Sequence, residues 1–115
     1  MNNTTTVLSS TADTAVNSTE LRITPTNALS PINEQGVKLL INSETPAAGA
    51  ALPVTVFFNS AAVPVYDKYG NIVYGNQIYK GMVLKGYYGN NGSGNTAHYQ
   101  LLKLPVRICY CGGLA

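Results

Sequence analysis

The sequence predicts an all-β protein, a small antiparallel sandwich or barrel reached through an extended N-terminal arm. Three observations predict it. Short runs of β-branched and aromatic residues recur from residue 36 onward, separated by turns rich in Gly, Asn and Pro. No stretch sustains the 3.6-residue apolar period of an amphipathic helix. All eight tyrosines and both phenylalanines lie between Phe57 and Tyr110, and residues 1–56 hold no aromatic at all. The early chain therefore lacks the large side chains that offset the entropy of ordering a backbone.

Residues 1–35 are rich in Thr, Asn, Ser and Ala and are cut by Pro25 and Pro31. Their threonines disfavour helix. They read as an arm, with one short strand at Leu21–Thr24, that is either a disordered terminus or a segment that orders on a neighbouring subunit. The compact domain is expected over residues 36–115. Gly36 opens a strand at Val37–Ile41, and Ser43–Pro53 follows as a loop. Val54–Phe58 is dense in β-branched and aromatic residues and forms the next strand, which Asn59–Ala62 breaks. Val63–Tyr66 and Ile72–Tyr74 flank Asp67-Lys68-Tyr69-Gly70-Asn71, the turn chemistry of a hairpin. Gly75-Asn76 makes a second turn, Gln77–Tyr79 a short segment and Met82–Tyr88 a strand. Gly81 marks a turn there, and Gly86 a bulge or a close contact.

After the Gly/Asn-rich loop at 89–95, the chain alternates clearly. His98, Gln100, Leu102, Leu104, Val106, Ile108 and Tyr110 fall on one side of an extended strand, with Tyr99, Leu101, Lys103, Pro105, Arg107, Cys109 and Cys111 on the other. From Leu102 onward the first set is apolar and is expected to face the core. Pro105 cannot donate to a ladder and implies an edge or a break.

The chain carries only seven basic and five acidic side chains. Residues 1–60 hold Asp13, Glu20, Glu34 and Glu44 against Arg22 and Lys38, whereas residues 61–115 hold Asp67 against Lys68, Lys80, Lys85, Lys103 and Arg107. Five dispersed bases make a poor nucleic-acid footprint, since neutralised phosphates supply most of such affinity. No basic segment and apolar run follow Met1 as a secretory signal would, and no apolar stretch reaches membrane-spanning length. The expectation is a protein made and kept soluble in a cytoplasm, with no nucleic-acid or membrane partner.

Catalytic chemistry finds little footing, and no catalytic, cofactor or metal residue is assigned. His98 is the one side chain that ordinarily titrates near neutrality, but no nucleophile-elbow or triad spacing surrounds it. Cys109 and Cys111 fall on one side of a strand, about 6.5–7 Å apart by strand rise. That separation is at or beyond the limit for an unstrained disulfide, and the pair makes only half a zinc site. Paired carboxylates of the glycosidase kind are missing, and the Gly/Asn loop lacks the lysine and helix of a phosphate cradle.

Eight tyrosines exceed what a small core needs. Tyrosine joins a broad rigid surface to a polar tip, which suits interfaces and sugar stacking. Tyr69, Tyr74, Tyr79, Tyr87, Tyr88 and Asn90 are the candidate interface residues. The Tyr-Gly-Asn element recurs at Tyr69-Gly70-Asn71, Tyr74-Gly75-Asn76 and Tyr88-Gly89-Asn90.

In its layout, a Thr/Asn/Ala-rich arm before a β domain rich in Tyr, Gly and Asn, the chain resembles small bacteriophage capsid-associated proteins of the decoration or head auxiliary type. That resemblance implies a virion structural protein attached in many copies to a major capsid protein or other virion subunits. It implies a homo-oligomer, with a trimer as one option, and an arm that orders on the shell. The alternative is a glycan- or surface-binding module of a fibre or adhesin, with Tyr69, Tyr74, Tyr88 and Asn90 forming a shallow sugar site. A small hydrolase ranks last for want of an acid–base pair.

Overall fold

Alternation of apolar and polar residues along each segment builds a sheet that curls until its two ends meet. The computed structural model describes residues 6–90 and 97–102. Its strands are β1 (Leu8–Asn17), β2 (Glu20–Pro25), β3 (Gly36–Ile41), β4 (Val54–Phe58), β5 (Ala61–Tyr66), β6 (Val83–Gly89) and β7 (His98–Leu101). They close into a barrel in the order β1-β2-β4-β5-β7-β6-β3. Short 3₁₀ turns at Ala47–Gly49 and Gly75–Gln77 are the helical elements among the described residues. None is long and apolar enough to cross a membrane.

The all-β expectation and the barrel alternative are met, and the strand pairing is mixed. β1 with β3, β2 with β4 and β5 with β7 run parallel; the other neighbours run antiparallel. An all-antiparallel arrangement fails because the loops at 26–35, 42–53 and 67–82 carry the chain to strands that are not its last neighbour.

The inward phase of each strand supplies the core. Leu21 and Ile23 of β2, Val37, Leu39 and Ile41 of β3, Val54, Val56 and Phe58 of β4, and Val63 and Val65 of β5 are buried. Phe58 packs edge-on against Tyr88 at 5.8 Å and Tyr99 at 5.5 Å between ring centroids. Such edge-to-face aromatic pairs add roughly 0.5–1.5 kcal/mol each beyond simple burial. The Tyr99 hydroxyl donates to the Val37 carbonyl at 2.7 Å, so this deep polar group is satisfied.

Residues 8–25 correct the arm. They form β1 and β2, paired along most of their length, and β1 also pairs with β3 to close the ring. The arm reading weighted large side chains, but β1 faces the core with Ala12 and Thr14, whose small size suits a crowded interior. Backbone pairing, to β3 over Leu8–Ala12 and to β2 over Ala12–Asn17, stabilises β1 where side-chain burial is slight.

Other differences are local. Asn59-Ser60 is not a simple break. It is a two-residue hairpin turn between β4 and β5, with both residues at positive φ (54° and 64°). Ile72 and Tyr74 make isolated bridges, to Tyr66 and Pro53, instead of a strand. Gln77–Tyr79 follows the second 3₁₀ turn, with Ile78 buried. On β7 the expected faces are exchanged: Tyr99 and Leu101 point inward and Leu102 is 59% exposed. The expected continuation over residues 103–111, with Pro105 and the two cysteines, lies outside the described residues. Gly86 is the close contact anticipated for it, since a Cβ there would overlap the Gln100 carbonyl oxygen on β7.

Candidate functional site

Strand register sorts the connections to two ends of the barrel. The β1–β2 hairpin and the loops at 42–53 and 67–82 share one end, while the loop at 26–35, the Asn59-Ser60 turn, the end of β6 and the start of β7 share the other. Tyr69, Tyr74 and Tyr79 belong to the first end. Asn90 lies at the second, and Tyr87 lies on the side wall.

The tyrosine candidates therefore do not converge. Tyr69 is 68% exposed at a tip that Asp67 organises, its Oδ1 accepting from the Tyr69 and Asn71 amides at 2.8 and 3.0 Å. The Lys68 ammonium sits 5.2 Å from the Tyr69 ring centroid. Tyr74 is exposed, and its amide donates to Gln77 Oε1 at 2.9 Å. Tyr79 is half-buried against the core. Tyr88 is a core residue and not an interface residue, because its phase on β6 is the inward one. Asn90 is half-buried, with its amide nitrogen donating to the Tyr88 hydroxyl at 3.2 Å and its backbone N–H to Asn33 Oδ1 at 2.7 Å. Both residues of that Tyr-Asn pair thus serve the fold.

Tyr87 belongs to a different surface, the outer wall formed by β1, β3, β6 and β7. Successive outward rungs of the β3–β6 ladder are Leu40 opposite Val83, Lys38 opposite Lys85, and Gly36 opposite Tyr87. Leu40, Val83 and Tyr87 are 40%, 46% and 36% exposed, on a phase that water-facing strands give to polar residues. Ser9 and Thr11 of β1 stand beside Lys38 and Leu40. A shallow groove of about 530 Å³ is lined by Ser9, Ser10, Thr11, Lys38, Leu40, Val83 and Lys85. A second hollow of about 280 Å³, lined by Glu34, Gly36, Gly86, Tyr87 and Leu102, extends the same wall.

The electrostatics of this wall are uneven. Two like charges directly opposite on adjacent strands are unfavourable. Neither Lys38 nor Lys85 has an ion pair among the described residues; the ion pair found there joins Arg22 to Glu20 at 3.0 Å on the opposite side of β1. Every acid of the chain lies within the described residues. Glu20 is further held by the Thr55 hydroxyl, and Asp67 by its turn. The lysine rung keeps a net positive charge between an apolar rung and an aromatic one.

His98 opens β7, half-buried with its ring edge-on to Tyr66 at 5.6 Å. Among the described residues, no three His, Cys, Asp or Glu side chains gather where they could hold a metal ion. Sequence reading missed Lys38, Leu40, Val83 and Lys85. The available signal was an apolar residue sharing strand phase with a lysine, in Lys38-Leu39-Leu40 and in Val83-Leu84-Lys85. Only the register places those two anomalies side by side.

No family model matches the chain, and searches of curated proteins and of solved structures return no match.

Proposed function

We propose that this chain is a non-enzymatic structural protein that attaches to the surface of a larger protein assembly, as capsid-associated proteins attach to a virion shell. The observation that carries the reading is the outer wall. A closed barrel has no free strand edge to offer, so recognition falls to outward side chains. Here those side chains include Leu40, Val83, Tyr87 and Leu102, all exposed. The partner on this reading is a major shell protein, met by many copies of the chain on a virion assembled in a host cytoplasm.

The glycan-binding alternative has less support. Its Tyr69, Tyr74, Tyr88 and Asn90 are split between the two barrel ends, and Tyr88 is enclosed. Mass spectrometry of particles purified from the native source tests the assembly reading. The expected result is this chain at a fixed, symmetric ratio to the major shell protein. Recovery only as free monomer in the lysate overturns it.

A further inference from the structure

We propose that the β3–β6 wall is a docking groove for an extended acidic segment of a partner protein, one that presents a carboxylate to Lys38 and Lys85 and an aliphatic side chain to Leu40 and Val83. The proposal rests on the assembly reading above and names the chemistry of the contact.

Spacing argues first. Outward rungs along a ladder are two residues apart, about 6.6–6.8 Å, and an extended segment repeats its own side chains at that interval. A partner strand laid along the groove would therefore place residues i, i+2 and i+4 over Leu40/Val83, Lys38/Lys85 and Gly36/Tyr87 in turn. Val7 packs over Gly36, and beside it Glu34, Gly86, Tyr87 and Leu102 border a hollow that suits an uncharged, apolar third side chain and not a second acid. On the β1 bank, Ser9 offers a hydroxyl to polar groups of the segment, while those of Ser10 and Thr11 are held within the fold, by the Thr11 carbonyl with the Asn27 amide and by the Thr26 hydroxyl.

Charge argues second. Two ammonium groups are held opposite one another at a local cost, and neither is ion-paired among the described residues. A carboxylate between them relieves that repulsion and gains two charge-assisted hydrogen bonds. Residues 1–5, 91–96 and 103–115 contain no Asp or Glu side chain. Nucleic acid is the poorer occupant, because the lysine rung is isolated between apolar neighbours instead of extending along a phosphate track.

The test uses the full chain, isotopically labelled for NMR, and a blocked heptapeptide in which Thr alternates with Val, Glu and Val. Amide shifts are expected to move at residues 36–40 and 83–87. Binding is expected to weaken steeply from about 0.01 M to about 1 M salt, as the Debye length falls from roughly 30 Å to 3 Å. Replacing Lys38 or Lys85 singly by Gln is expected to weaken binding roughly two- to fivefold, the range of exposed ion pairs. The double variant Lys38→Glu/Lys85→Glu keeps the like-charge rung but reverses its sign, and it should prefer the same peptide with Lys in place of Glu.

Equal binding of the Glu peptide and its Gln analogue, no shift along the wall, or tighter binding of oligothymidylate would each overturn the proposal. If Lys38→Gln/Lys85→Gln leaves the chain on its particles at full ratio, the groove is excluded while the assembly reading stands. Peptide binding by a chain that never enters particles has the opposite consequence.

Discussion

Tyr99 is enclosed on all sides, and the environment that satisfies its neutral hydroxyl opposes its anion. Burial pushes the phenol well above its ordinary range. Below about pH 9 both folded and unfolded chains keep this group neutral, so stability does not depend on pH through it. As pH rises through about 10 the unfolded chain releases the proton and the folded chain does not, so stability falls. Urea unfolding is expected to show this alkaline loss, and Tyr99→Phe to remove it. The variant should cost about 0.5–1.5 kcal/mol at neutral pH, because the hydrogen bond to the Val37 carbonyl is lost. Lys85 behaves in the contrary way. Lys85→Glu turns a repulsive rung into an attractive one and should raise stability by about 0.2–1 kcal/mol, measured by chemical denaturation. The same change should weaken binding of the acidic heptapeptide more than Lys85→Gln does, because it adds a repelling carboxylate to the loss of the lysine.

At the scale of the element, turns and close approaches set the strand arrangement. The β4–β5 turn places Ser60 at φ 64°, a conformation that costs a side-chain-bearing residue about 1 kcal/mol. Ser60→Gly is expected to raise the unfolding free energy by about that amount. Gly86→Ala should lower it by about 1–3 kcal/mol, since the added methyl must force β6 away from the Gln100 carbonyl. Strands with strong alternation were legible: Val54–Phe58 is found with the expected bounds, and Val37–Ile41 gains only Gly36. The β4–β5 hairpin was not, because Asn-Ser lacks the glycine that usually announces such a turn. The facing of β7 also escaped. Leu102 shares a phase with apolar residues further on, yet Tyr99 brings more apolar surface and a hydroxyl that the interior can satisfy. The docking wall was illegible for a related reason, since side chains opposed across a ladder are far apart in the chain.

For the molecule as a whole, closure depends on β1, which joins β2 to β3. Hydrogen exchange checks this directly. Amides of residues 11–17 are expected to be protected to a degree comparable with β3, whereas rapid exchange confined to that segment would restore a loose leader. The barrel also fixes an order of events during synthesis. β7 lies between β5 and β6 and is the last of the described strands to leave the ribosome. Until His98–Leu101 emerges, both neighbours present unpaired backbone, the form of surface that invites adhesion between chains. A message truncated shortly before that codon run would thus yield a sticky open ring of six strands, and quality control in the producing cell would meet it as an aggregate.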